Sequence, residues 1–459
     1  MTTQPNIAVG ILTAREISFC LKGDFTASFS ESFEDRNMQF AANNSYNYVA
    51  KIEHGQICIS DLWGEKLCGK ELVFRPRHFE SDSFELQNVV IGIDFHWEQT
   101  ENQSFQGVLK LVQNAGRIVA VNLLPIESYL LSVISSEMSA QSSLALLKAH
   151  AVISRSWLLA QILKQTELQT EALSYQSIVS DEGRYIRWYD REDHRLFHVC
   201  ADDHCQRYQG LSKLTNEAVK QAVAETAGMV LSYEGKICDA RFSKSCGGVT
   251  ELFENCWEPV AHPYLASVVD FSDATSLAAL NLTIEPDAKT WIETKPQAFC
   301  NTTDPEILSH VLNNYDQKSK DFYRWEQVYE QDELSALIEL KSGHKFGLIK
   351  ALIPLERGVS GRITQLRIVG TELELTVGKE LEIRRWLSNS HLYSSAFVVD
   401  AQDSTDGIPQ RFVIRGAGWG HGVGLCQIGA AVMGAKGYAF DEILLHYFTD
   451  AVLNQYYEA

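Results

Sequence analysis

The chain has 459 residues, 45% of them hydrophobic and 22% charged, a globular composition large enough for two or three domains or lobes. Lys and Arg number 40 against 59 Asp and Glu, and the net charge of −19 argues against a nucleic-acid backbone or an anionic membrane surface as partner. The opening MTTQPNIAVGILTAREISF lacks a basic region followed by an apolar core, and no stretch reaches the roughly 18 apolar residues of a membrane span, so a cytoplasmic protein without a membrane span is expected. The ten cysteines are scattered, at 20, 58, 68, 200, 205, 238, 246, 256, 300 and 426, which suits a reducing compartment better than a disulfide framework.

From residue 7 to about 120 the sequence reads as strands. NIAVGILTAREISFCL, QICISDL, ELVFRP, NVVIGIDFHW and GVLKLVQNAGRIVAVNLL are β-rich runs broken by Gly, Asn and Asp, and NAG predicts a hairpin turn. The period then changes. Pro125 suits a first helical position, and Ile126, Leu130, Val133 and Ile134 form an apolar stripe at helical spacing. Ser139 or Ser142 can cap a second helix, in which Leu144, Leu147, Ala151, Leu158 and Ile162 recur. Glu137 falls at the elbow between the two.

Residues 168–210 are polar and loop-like. TNEAVKQAVAET predicts a short helix, YEGK a hairpin, and DPEILSHVLNNY a helix with an Asp cap and Pro at its first position. Strands return in FGLIKALIPLERGVSGRITQLRIVGTELELTV. The chain then closes with a strand, a glycine-rich loop and two helices.

Three constellations carry chemistry. A carboxyl group walled by apolar side chains is poorly solvated when charged, so Glu137 is expected to hold its proton near neutral pH and serve as a general acid. The plainer alternative is a helix cap or a partner of Lys148 or Arg155. In HRLFHVCADDHCQRYQG, Cys200, His204 and Cys205 lie close together with His194 and His198 just upstream, a donor set for tetrahedral zinc. The alternative there is a pair of buried thiols with surface histidines. In GAGWGHGVGLCQIGA, Gly416, Gly418, Gly420, Gly422 and Gly424 alternate with larger residues, which clears one face for a polymer or for tight packing of the chain on itself. No GK[ST] follows, so it is not a P-loop.

VNLLPIESYLLSVISSEMSAQSSLALLKAHAVISRSW and GAGWGHGVGLCQIGAAVMGAKGYAFDEILLHYF resemble the opening and closing signatures of the SpoIID/LytB family. ARFSKSCGGVTELFENCW, ERGVSGRITQLRIVG, LEIRRWL and SSAFVV resemble its intervening segments, in the same order. With the strand and helix runs read above, an α+β fold is expected: a β-rich N-terminal region (1–100) and an inserted, partly helical lobe (276–345), both outside the resemblance, and a catalytic core in two parts (101–275 and 346–459, the second with the glycine-rich motif) that resembles SpoIID.

The resemblance implies a peptidoglycan lytic transglycosylase with Glu137, the Glu of the EM motif, as catalytic residue, or else a non-catalytic enhancer of an N-acetylmuramoyl-L-alanine amidase. Zinc is expected on His194, Cys200, His204 and Cys205, with His194 preferred over His198, holding a loop rather than acting on substrate. Trp419, His421, Gly422, Gln427, Ser243, Ser245 and Thr250 are expected to contact glycan, with Gly422 leaving room for the polymer. The partners implied are peptidoglycan strands or muropeptides and an amidase, and the compartment implied is the cell envelope rather than the cytoplasm.

Overall fold

Alternation of buried and more exposed residues builds N-terminal strands such as Phe25–Ser28, where Phe25 and Ala27 are buried and Thr26 and Ser28 are less so. A computed structural model of the chain describes residues 2–29, 38–40, 47–60, 66–92, 98–139, 141–170, 177–188, 194–202, 205–213, 217–271, 280–311 and 322–458. Its mixture of helices and strands in several sheets is the expected α+β class. Among the described residues no helix is long and apolar enough to cross a membrane.

The chain divides into two compact units, the first made of residues 1–140, 193–229 and 455–459, the second of residues 141–192 and 230–454. The first unit holds an antiparallel six-stranded sheet and a seven-stranded one. Phe19 of one sheet meets Phe74 of the other at 5.3 Å between ring centres, so the two sheets share a core. The NAG hairpin forms as expected, with Ala115 and Gly116 at φ of 47° and 76°. Cys58 and Cys68 sit opposite each other on neighbouring strands and are joined by a disulfide, a pairing not expected from cysteine spacing that suits a reducing compartment better than a disulfide framework. The strand Arg117–Pro125 runs straight into the helix Ile126–Glu137. Pro125 is the cap residue rather than the first helical one, and Ile126 donates its N–H to the Pro5 carbonyl at 3.0 Å.

The second unit opens with the helix Leu144–Thr170. Its cap is Ser143, whose Oγ accepts the Leu146 N–H at 3.2 Å, not Ser139 or Ser142. The helix departs from a one-sided stripe. Residues 149–159 are buried all round, and these include His150, Ser154, Arg155 and Ser156. The polar groups are tolerated because they are bonded: Ser156 Oγ donates to the Val152 carbonyl at 2.7 Å and accepts the Leu231 N–H at 2.8 Å. Beyond it, a five-stranded and a three-stranded sheet enclose a core around Trp325, Ile338, Ile363, Trp386 and Phe412.

Candidate functional site

Glu137 is the last residue of its helix and is half-buried. The predicted stripe of Ile126, Leu130, Val133 and Ile134 is fully buried, which fixes the helix and hence the end of it that carries the carboxylate. Met138 leaves in an extended conformation (φ −120°, ψ 149°), so the chain turns away at the expected elbow. A helix C-terminus carries partial negative charge, and a carboxylate there gains nothing from the helix. Glu137 forms no ion pair among the described residues, so the salt-bridge alternative falls away.

Its partner is instead the loop bearing the predicted metal ligands. The Arg207 N–H donates to Glu137 Oε1 at 3.2 Å. The same loop is laced along the helix: Tyr129 Oη donates to Gln206 Oε1 at 3.2 Å, and the Gln209 N–H donates to Ser132 Oγ at 3.2 Å. Tyr208 Oη donates to Asn122 Oδ1 at 2.6 Å, and its ring stacks on Tyr129 with centres 5.2 Å apart. Burial pushes both phenols above their ordinary range, so each remains a protonated donor.

At the start of this loop, His194 Nε2 lies 3.5 Å from Cys205 Sγ, which also accepts the Cys200 N–H at 3.4 Å. One donor atom from each of His194, Cys200 and Cys205 lies within 4.8 Å of the others. His198 is committed elsewhere, its Nδ1 accepting the Ala8 N–H at 3.1 Å, so His194 is the upstream histidine that joins the thiols. His204 lies outside the described residues. Two thiols and an imidazole are a donor set suited to zinc, and they leave a fourth position for His204 or another donor. Val199–Cys200 is an edge strand parallel to Asn6–Ala14, which ties the cluster to the sheet.

The glycine-rich segment, in the second unit, is built for close packing within the protein. Gly418, Gly420, Gly422 and Gly424 have φ of 75°, 95°, 78° and 71°, a region that favours glycine. A Cβ at Gly416 would lie 2.2 Å from the Trp325 ring, one at Gly422 2.4 Å from the Arg362 guanidinium, and one at Gly424 2.2 Å from the Arg241 carbonyl oxygen. The room expected at Gly422 for a polymer is therefore filled by Arg362. That arginine is fully buried and donates to the carbonyls of Gly420 (3.2 Å) and Cys246 (3.1 Å). Glu251, also fully buried, donates its N–H to the Gly422 carbonyl at 2.9 Å and accepts the Ser360 hydroxyl at 2.5 Å. Neither residue stood out in the sequence, because an isolated Arg or Glu carries no local sign of burial.

Of the seven predicted glycan contacts, Ser243, Ser245, Thr250, Gly422 and Gln427 are buried. Gln427 Nε2 is 3.1 Å from His150 Nε2, and Thr250 Oγ1 accepts the Val268 N–H at 2.7 Å. Ser245 is paired through its backbone with Trp419, at 3.0 and 2.8 Å. Trp419 and His421 are half-buried. The Trp419 indole already stacks on Phe322, with centres 4.8 Å apart. His421 Nδ1 accepts the Val423 N–H at 3.0 Å, which leaves Nε2 to carry the proton. Burial, with Arg241, Arg362 and Arg384 nearby, holds its pKa well below the ordinary histidine value, so the ring is neutral.

Comparison with known proteins matches residues 114–233 to the family described as Stage II sporulation protein, SpoIID. Residues 251–424 match a family described as a domain of unknown function (DUF8618). The chain is 27% identical over 266 residues to the amidase enhancer of Bacillus subtilis (strain 168), covering 55% of this chain and 34% of that protein. It therefore spans about a third of the enhancer's length. It is 26% identical over 352 residues to an uncharacterized protein of Brachyspira hyodysenteriae, covering 77% of this chain and 73% of the relative. Stage II sporulation protein D of Bacillus amyloliquefaciens is 23% identical over 329 residues, covering 72% of this chain and 74% of the relative.

Proposed function

From the match of residues 114–233 to the SpoIID family and the likeness to its relatives, we propose that the chain is a SpoIID/LytB-type protein that acts in the cell wall as a peptidoglycan lytic transglycosylase with Glu137 as general acid and then general base. The observation that carries this reading is Glu137 itself. It is a half-buried carboxylate at the wrong end of a helix for its charge, with no cation in an ion pair among the described residues and with one oxygen oriented by the Arg207 N–H.

Protonated Glu137 donates to the glycosidic oxygen between N-acetylmuramic acid and N-acetylglucosamine. The C1–O bond breaks as the leaving sugar takes that proton, and positive charge spreads over C1 and the ring oxygen. The muramic 6-hydroxyl then attacks C1. Its proton passes to the Glu137 carboxylate, which returns to its starting form, and the product is a 1,6-anhydro sugar. The nucleophile belongs to the substrate, so one carboxyl group suffices, and the ring closure gains from proximity. His194, Cys200 and Cys205 fit zinc, which would fix the loop that orients Glu137 through Arg207.

Purified glycan strands digested with the full chain should give 1,6-anhydro-muramyl products by mass spectrometry. Glu137→Gln should lower that rate by roughly 100-fold or more with the fold intact. Wild-type rates in that variant would remove Glu137 from the chemistry. A second reading rests on the relative named amidase enhancer. It predicts no anhydro products from the wild-type chain and faster release of stem peptides when an N-acetylmuramoyl-L-alanine amidase is added.

A further inference from the structure

The second unit contains another cluster of metal-type donors, unconnected in sequence and unused by the chemistry above. Cys246, Asp270, Cys300 and Cys426 are each essentially fully buried, and one donor atom from each lies within 4.8 Å of the other three. We infer that these four residues form a closed, tetrahedral zinc site that clamps the Cys246 and Cys426 segments together. This inference does not rest on the glycan-cleaving proposal.

The spacing suits the metal. Zinc–thiolate bonds of about 2.3 Å in a tetrahedron put neighbouring sulfurs about 3.8 Å apart. Cys246 Sγ and Cys300 Sγ are 3.7 Å apart. Three thiolates and one carboxylate complete four protein ligands, and complete burial leaves no position for water or substrate. That marks a structural metal rather than a catalytic one.

The surroundings are those of a metal site rather than of a packed thiol cluster. The Cys246 N–H donates to Cys426 Sγ at 3.2 Å, and the Gly248 N–H donates to Cys246 Sγ at 3.4 Å, so backbone dipoles are aimed at sulfur. Cys426 caps the Gln427–Ala435 helix, whose N-terminal end favours negative charge. Asp270 is held on both oxygens, by the Tyr447 hydroxyl at 2.6 Å and the Cys300 N–H at 2.8 Å, which leaves a lone pair free on each for a metal. Room for that arrangement depends on Gly429, where a Cβ would lie 2.4 Å from Asp270 Oδ1. No Lys, Arg or His forms an ion pair with Asp270 among the described residues. A buried carboxylate without a cation is costly, and a buried dication answers that cost where three thiols alone would not.

The location gives the site a task. Cys246 follows Ser245, which pairs with Trp419, and Cys426 precedes Gln427. One ion would therefore cross-link segments 180 residues apart, behind the glycine-rich motif.

The decisive experiment uses the full chain carrying Cys200→Ser and Cys205→Ser, which removes the thiols of the first cluster. Elemental analysis should find one zinc per chain, and zinc X-ray absorption should count three sulfurs and one lighter neighbour. Adding Cys300→Ser should bring the zinc to zero. Should that triple variant fail to fold, the sulfur count on the double variant still decides. A double variant that carries no zinc overturns the inference, as does a sulfur count below three. Peptide mapping that finds Cys246 and Cys300 joined by a disulfide would also overturn it.

Discussion

The two donor clusters differ in how the chain assembles them. His194, Cys200 and Cys205 fall within a dozen residues on a half-buried loop of the first unit. Cys246, Asp270, Cys300 and Cys426 come from four separate stretches of the second unit and are buried. A local cluster can form wherever its loop can bend, and what it controls is that loop, here the Arg207 N–H on Glu137. A dispersed cluster exists only once the fold has formed, so its metal is part of the stability of the fold. On the proposed zinc assignments, the first metal would tune a site and the second would hold a unit together.

The largest expected effect tests whether chemistry belongs to either cluster. Glu137→Gln should cost roughly 100-fold or more in glycan cleavage. It should leave the zinc content of both clusters and the melting transition unchanged. Loss of metal together with activity would mean that the carboxylate and the loop cannot be treated separately.

Next in size is the dispersed cluster. Cys426→Ser should destabilise the second unit by more than about 4 kcal/mol, the range reached when a structural metal is lost. Denaturant unfolding reads this directly. An unfolding midpoint within error of the wild type would make the cluster dispensable and remove the contrast.

The local cluster should respond more mildly. Cys205→Ser frees the loop, and the hydrogen bond from Arg207 to a charged acceptor is worth roughly 1.5–3 kcal/mol, or about tenfold or more in rate if it is needed in the transition state. Global stability should hardly move, while proteolysis near residues 194–209 should speed up. A chelator should empty this half-buried loop well before it reaches the buried cluster, with zinc release followed by a colorimetric indicator. Simultaneous release from both would contradict the difference in burial.

What could be read from the sequence follows the same divide between local and dispersed. The Glu137 elbow, the turns at NAG and YEGK and the His194–Cys205 cluster are legible because their determinants lie within a turn or a short loop of one another. The buried polar residues of the Leu144–Thr170 helix are not, because beside the local Ser154 the partner of His150 is Gln427, far along the chain. Arg362 is illegible for the same reason, and so is the second cluster, whose members come together only through tertiary contacts. The Cys58–Cys68 disulfide depended on strand register, which puts the two cysteines opposite each other across neighbouring strands and which spacing alone does not determine. The glycine alternation was visible, but what fills the cleared face was not. Trp325, Arg241 and Arg362 all reach it from elsewhere in the chain.

The smallest effect concerns pH, and it distinguishes metal loss from proton uptake as causes of acid weakening. Burial, with Arg384, Arg385 and Lys341 nearby, lowers His391 to about 4. Burial likewise lowers His262 and His421, the latter beside Arg241, Arg362 and Arg384. All three belong to the second unit. In the unfolded chain each would take a proton near the ordinary value of about 6.5. Below that pH the unfolded state therefore binds more protons than the folded one, and stability falls as pH falls. For His391 the loss continues down to about 4, where the folded state binds its proton too. The slope can reach about 1.4 kcal/mol per pH unit for each excluded proton. Stability measured from pH 7 to pH 5 with zinc in excess should decline below about 6.5, and His391→Gln should make that decline shallower. If the variant keeps the full wild-type slope while zinc appears in solution over the same range, protonation of the metal ligands, not of His391, controls the acid limit of this unit.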